Sequence, residues 1–133
     1  MFRFEMKHIL FTTIATVMLV GCSPKAPDIS IHDAAEKGNI EAIKQHIAAG
    51  TEVNVKDDAL EWTPLFIAAA WGRKEVVELF IANGADVNAT DDGGKTPLDE
   101  ATHPDNPNAS AEIADLLRKH GGKAGEQLKS KVK

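Results

Sequence analysis

The chain has 133 residues, of which 43% are hydrophobic and 26% charged, the composition of one ordinary globular domain and not of a disordered segment. A formal net charge of -5 argues against a nucleic-acid partner, because binding phosphates takes clustered Lys and Arg that displace counterions, and the body of the chain holds no such cluster. Aromatic residues make up 5%, with no Tyr, so a large aromatic-rich core is not expected, which suits a fold packed from Ala, Leu, Ile and Val, and the single cysteine, Cys22, forbids an intrachain disulfide framework.

The first element in chain order is an address. Lys7 supplies positive charge ahead of residues 9–20, an uncharged and largely apolar run. That run is shorter than the roughly 20 residues needed to cross a bilayer and has the length of the apolar core of a secretory signal. It ends Leu19-Val20-Gly21-Cys22, which resembles the lipobox of bacterial lipoproteins. The resemblance implies that residues 1–21 are a signal peptide and that cleavage leaves Cys22 as a lipidated first residue. Ser23 is not the aspartate that retains such proteins at the inner membrane, so the resemblance implies the outer membrane, facing the periplasm. Met6-Lys7 is itself a good beginning, which leaves Met1 and Met6 as alternative starts. Residues 22–28 form a short Pro-containing tether, too brief for a long stalk, and this places the folded body close to the bilayer.

From residue 29 the sequence repeats itself, which is the signature of a stacked architecture. Thr63-Pro64-Leu65 recurs as Thr96-Pro97-Leu98 at a spacing of 33, and Gly50-Thr51-Glu52-Val53-Asn54 recurs as Gly84-Ala85-Asp86-Val87-Asn88 at a spacing of 34. Ala34-Ala35-Glu36-Lys37-Gly38-Asn39 matches Ala68-Ala69-Ala70-Trp71-Gly72-Arg73 at the same offset. The extra residue falls in the connection, since 57–63 is one longer than 91–96. Thr-Pro opens a helix: Thr caps free N–H groups, and Pro at the first helical position loses nothing by lacking its own. Gly38 and Gly72 fall where the first helix must stop and turn back, a place for positive φ. Residues 75–81 carry apolar side chains at helical spacing and make a second helix, which Gly84 ends. Ala68 and Ala69 are small because paired helices pack closely there.

Period and landmarks together resemble the ankyrin family over about residues 29–121. The resemblance implies an all-α solenoid of about three stacked helix-turn-helix repeats, 29–61, 62–94 and 95–121, followed by a basic C-terminal tail at 122–133. Such a short basic tail is expected to be solvated and disordered. The first repeat begins Ile29-Ser30-Ile31-His32, without Thr-Pro. The third replaces the helix-ending glycine with an insertion bearing Pro104 and Pro107, which lengthens the loop between its helices. Val76 then aligns with Ile113. Three repeats are about the minimum for such a stack, whose outer members must cover apolar ends, so stability should be modest.

Chemistry-bearing residues are few. His32 stands in the place of the family's helix-opening histidine, which implies a structural hydrogen bond. His46 lies amid Lys44 and Gln45 and reads as surface, while His120 precedes Gly121 at a helix end, where a cation is favoured. Asp99, Glu100, His103 and Asp105 are ligand types close in sequence, but no second His or Cys joins them and the prolines suggest a loop. A solvated acidic helix end is the simpler reading, and neither metal nor cofactor is expected. There is no serine in a strand-to-helix elbow, no Gly-rich phosphate loop, and the one Cys is assigned to lipid. No catalytic residue is assigned, and an enzyme is not expected.

The resemblance implies that a partner docks on the concave side, on turn tips and first helices. The positions just before the helix-ending glycine are Glu36 and Lys37, then Ala70 and Trp71, with Thr102 and His103 in the third repeat. The positions before Thr-Pro are Trp62 and Lys95. Both tryptophans thus fall where the family commonly faces outward, and Trp is enriched among interface hot spots. The competing reading is that they pack on neighbouring turns and cover the stack. Asp57, Asp58, Glu61, Asp91 and Asp92 rim the same side, which suits a partner with a basic patch around an apolar centre. The function that follows is a membrane-anchored module mediating protein–protein binding in the bacterial cell envelope, with no small-molecule substrate. The alternatives are a self-associating structural stack, and a metal-binding protein or enzyme built on the Asp99/Glu100/His103/Asp105 loop.

Overall fold

A computed structural model describes residues 25–130, so Cys22, the apolar run before it and residues 131–133 lie outside the described residues. The helices are α1 (Ile31–Lys37), α2 (Ile40–Ala48), α3 (Pro64–Ala70), α4 (Lys74–Ala82), α5 (Pro97–Thr102), α6 (Ala111–Lys119) and α7 (Gly125–Lys129). No strand occurs among the described residues, and no helix among them is long and apolar enough to cross a membrane. The first six pair in order, α1 with α2, α3 with α4 and α5 with α6. One layer is then formed by α3 packing between α1 and α5, the other by α4 packing between α2 and α6. This is the all-α solenoid of three helix-turn-helix repeats.

Each repeat starts as its residues dictate. The Thr63 hydroxyl accepts from the Phe66 N–H at 3.2 Å, with Pro64 in the first turn. Thr96 makes the reciprocal arrangement with Asp99, whose carboxylate accepts from the Thr96 N–H at 2.8 Å. In the first repeat Ser30 takes the same role, accepting from Asp33. Gly38 at φ 71° and Gly72 at φ 70° reverse the chain in the left-handed region, where a side chain is strained. The third repeat has no such residue. There α5 ends at Thr102 and a loop over 103–110 leads into α6.

The core lies between the two layers. All seven residues of α3 are buried, because helices flank it on both sides. Ala68 and Ala69 are fully enclosed and share one core cluster with Leu65, Val77, Phe80, Ile113 and Leu117. Val76 and Ile113, matched from the sequence, are both buried at 1% and 0% exposure. Each such side chain contributes about 1.5–3 kcal/mol by leaving water. Register between repeats is set by asparagines: Asn54 accepts from Asp86 N–H at 2.8 Å and donates to the Gly84 carbonyl at 3.3 Å. Asn88 repeats this one unit later, accepting from Lys123 N–H at 2.8 Å and donating to the Gly121 carbonyl at 3.1 Å.

Two expectations are corrected. His46 is buried, not on the surface: Nε2 meets the Ile29 carbonyl at 2.7 Å and Nδ1 the Thr51 hydroxyl at 3.2 Å. It stands three and four positions beyond Ile43 and Ala42, and so shares their buried face. The tail is folded through residue 130. The Lys123 carbonyl accepts from the Thr96 hydroxyl at 2.7 Å, and the Gly125 N–H donates to Asp99 at 2.8 Å. Gly125 is buried, and a Cβ there would collide with the Gly94 carbonyl oxygen. Small residues let the tail lie directly on the third repeat's turn and close that end of the stack.

Candidate protein-binding face

Two turns of one plan, the first longer by one residue, carry the face. Asp57 Oδ1 accepts from the N–H groups of Leu60 at 2.9 Å and Trp62 at 3.1 Å. Asp91 Oδ1 does the same for Gly93 at 2.9 Å and Lys95 at 2.8 Å. Main-chain bonds close each turn, from Asp57 N–H to the Trp62 carbonyl and from Asp91 N–H to the Lys95 carbonyl, both at 3.0 Å. The turns are joined by Asp92 N–H donating to the Leu60 carbonyl at 3.1 Å and by Lys56 Nζ donating to the Thr90 carbonyl at 2.9 Å. Burial opposes ionisation of Asp57, but the Leu60 and Trp62 N–H groups aimed at its carboxylate, with the nearby His32 ring, outweigh it. Together they hold that carboxyl below its ordinary range.

Trp62 and Lys95 therefore occupy equivalent places on successive turns. The Trp62 ring stacks at a tilt of 31° on Phe66, 5.0 Å between centroids, and meets Trp71 edge-to-face at 6.0 Å and 68°, both favourable geometries. Each tryptophan is half-buried and packs against the core, so part of each ring serves the stack and part faces outward. The indole N–H of Trp62 is buried and has no hydrogen-bond partner among the described residues.

Two hollows share the tryptophan pair as a wall. One, of about 310 Å³, brings together Trp62, Ala70, Trp71, Lys95 and His103. Ala70 is buried, so it belongs to the floor. The other, of about 200 Å³, contains Glu36 beside His32, Asp33, Asp57 and Leu60. Lys37 is exposed at the end of α1 and lines neither, and Thr102 faces the tail instead, beside Gly125 and Lys129. Sequence reasoning missed Asn106 and Asn108, which line the larger hollow. Asn106 is the anchor of the insertion, donating to the carbonyls of Ala70 and Glu100, each at 3.0 Å. The Asn106-Pro107 pair of this segment signals a turn, but not where it lands. His32 makes the structural bond implied for it, from Nε2 to the Val55 carbonyl at 2.9 Å.

The acidic-histidine group does not assemble. Asp99 and Glu100 lie on α5, and the Asp99 carboxylate is engaged by the Thr96 N–H, the Thr96 hydroxyl and the Gly125 N–H. Glu100 pairs with Lys95 at 3.4 Å, and His103 Nδ1 accepts from the Asp105 N–H at 3.2 Å. Among the described residues no three His, Cys, Asp or Glu side chains converge as metal ligands.

The family model described as ankyrin repeats (3 copies) matches residues 31–127. Protein phosphatase 1 regulatory subunit 12A of Mus musculus and that of Rattus norvegicus are each 47% identical to this chain over 51 residues, 38% of the chain and 5% of the relative. The chain thus spans only a small fraction of the length of these relatives. Ankyrin repeats are protein-interaction modules, generally without catalytic activity of their own. With the match covering most of its length and the helix pairs stacked in two layers, the chain belongs to the ankyrin-repeat family.

Proposed function

We propose that this chain is a membrane-anchored ankyrin-repeat module that binds a protein partner in the bacterial cell envelope, held through lipid on Cys22 at the outer membrane and facing the periplasm. The observation that carries the binding half is the hollow where Trp62, Trp71, Lys95 and His103 converge from three segments of the chain. An apolar wall with a charged rim is the composition of an interface hot spot. The anchoring half rests on the lipobox-like Leu19-Val20-Gly21-Cys22. Stack lengthening is disfavoured by the tail, which already covers the C-terminal end through Thr96, Asp99 and Gly125.

The two halves are tested separately. Expressed in a bacterium, the full chain should incorporate a labelled fatty acid and fractionate with membranes, and Cys22→Ser should abolish both. An unlabelled, soluble natural chain would sink the anchor. For binding, affinity capture from envelope extract is run with the natural chain, with Trp62→Ala/Trp71→Ala, and with the surface pair Lys95→Glu/His103→Asp. A protein retained by the first and lost from both variants, each shown folded by circular dichroism, supports the face. Identical captures on all three would remove it.

A further inference from the structure

The two hollows beside Trp62 and Trp71 differ in charge, and the difference points to what each would hold. In the larger one Lys95 pairs with Glu100, which leaves Asp105 as its one carboxylate without an ion pair among the described residues. The smaller one gathers the carboxylates of Asp33, Glu36 and Asp57 around the two indoles, with Leu60 and Ile67 completing the wall. None of those three carboxylates has an ion-pair partner among the described residues. Of the nearby basic groups, Lys56 is engaged by Glu61 and the Thr90 carbonyl, while Arg73 Nε and His32 Nε2 donate to the main-chain carbonyls of Glu36 and Val55, both at bonding distance, rather than to these carboxylates.

We propose that this smaller hollow is a pocket for one arginine side chain of the protein partner. The proposal deepens the binding reading above and rests on it. At about 200 Å³ the space lies below the roughly 300–1,000 Å³ of small-molecule sites, which suits a single side chain. Asp33 and Glu36 stand three residues apart on α1 and share one exposed helix face, where like charges repel. A cation between them relieves that repulsion, and the indoles of Trp62 and Trp71 in the same lining offer it cation–π attraction. Asp57 is kept ionised by the turn it closes, so the third carboxylate is charged before any ligand arrives. Guanidinium fits this lining better than ammonium, because it is planar, weakly hydrated, stacks on indole and binds carboxylates in bidentate fashion.

Trp62 and Trp71 are the only tryptophans in the chain, so intrinsic emission reports directly on the pocket. The full chain in detergent is titrated with acetyl-Gly-Arg-Gly-amide, and in parallel with the peptides carrying citrulline or lysine in place of arginine. The arginine peptide should give a saturable change in emission, the lysine peptide a saturable change at several-fold higher concentration, and the uncharged citrulline peptide none. Asp33→Asn/Glu36→Gln, two exposed positions whose unfolding midpoint is checked, should raise the half-saturation concentration at least fivefold, whereas Glu78→Gln, exposed on α4 and lining neither hollow, should leave it within twofold. A non-saturating response, an equal response to citrulline, lysine binding as tightly as arginine, or indifference to the acidic substitutions would each overturn the pocket. A partner protein still lost from Lys95→Glu/His103→Asp in the capture experiment would then leave the binding face standing without it.

Discussion

The second and third repeats open with the same three residues and then part. In the second, α3 turns into α4 through Gly72 in the left-handed region; in the third, α5 reaches α6 only after the loop over 103–110. Yet the tie to the preceding repeat is kept. Arg73 Nε holds the Glu36 carbonyl at 2.8 Å, and Asn106 Nδ2 holds the equivalent Ala70 carbonyl at 3.0 Å. The fold thus demands the inter-repeat bond and the burial of Val76 and Ile113, and tolerates different routes to them. The second difference is enclosure. Helix α3 is buried at every position, whereas α5 buries only Pro97, Leu98 and Ala101, with the tail alone beyond it.

Enclosure predicts the largest effect. Phe66→Ala removes a ring that is 1% exposed and stacked on Trp62, and should cost about 3–5 kcal/mol. Leu98→Ala, at 5% exposure under a tail that can settle into the space, should cost about 2–3 kcal/mol, the low part of the range for such truncations. Urea midpoints at constant slope measure both. Equal losses would show that the tail encloses the third repeat as firmly as a fourth repeat would.

What could be read from the sequence, and what could not, divides by range. Thr63-Pro64, Thr96-Pro97, Gly38 and Gly72 act on their own neighbours, so the residues alone placed the helix starts and reversals. Trp62, Trp71 and Lys95 were placed on the face by their positions in a repeating frame. His46 escaped because the carbonyl it binds belongs to Ile29, 17 residues away, while its immediate neighbours are polar. The tail escaped because it docks through the Lys123 carbonyl and Gly125 N–H, and main-chain groups leave no side-chain signature. Asn106 and Asn108 sit in an insertion with no counterpart in the other repeats, so no frame could assign them.

Replacing the reversal by a side chain sharpens the comparison of the two turns. Gly72→Ala would place a Cβ 3.0 Å from the Asn108 main-chain oxygen at a positive φ, and should cost about 2 kcal/mol, most of it left-handed strain. Gly38→Ala meets only the flexible Arg73 side chain at 3.2 Å and should cost about 1 kcal/mol. Asn106→Ala removes both bonds that pin the insertion and should cost about 2 kcal/mol, at about 1 kcal/mol for each. Denaturation midpoints test whether Gly72 and Asn106 both cost more than Gly38. A neutral Asn106→Ala would mean that the long loop holds its place without the tie that Arg73 supplies in the second repeat.

The smallest effect concerns the turns that carry the face. The folded-state pKa of Asp57 lies below its ordinary value, because the N–H groups of Leu60 and Trp62 favour the carboxylate more than burial opposes it. A depressed pKa contributes stability that is fully present above the unfolded value and is lost as pH falls through the folded one. The natural chain should therefore lose part of its stability on acidification below about pH 4. Asp57→Asn retains an oxygen for the two N–H groups but does not titrate, so its Tm should sit slightly below the natural chain's at pH 7 and converge with it in acid. The convergence should be on the order of 1–2 °C, since 1 kcal/mol moves Tm by about 4–8 °C in small domains and screening reduces a half-exposed group to a fraction of that. A constant gap from pH 7 to pH 3 would mean that the carboxylate's charge adds nothing to the turn, and that the two N–H bonds, common to Asp57 and Asp91, set its geometry alone.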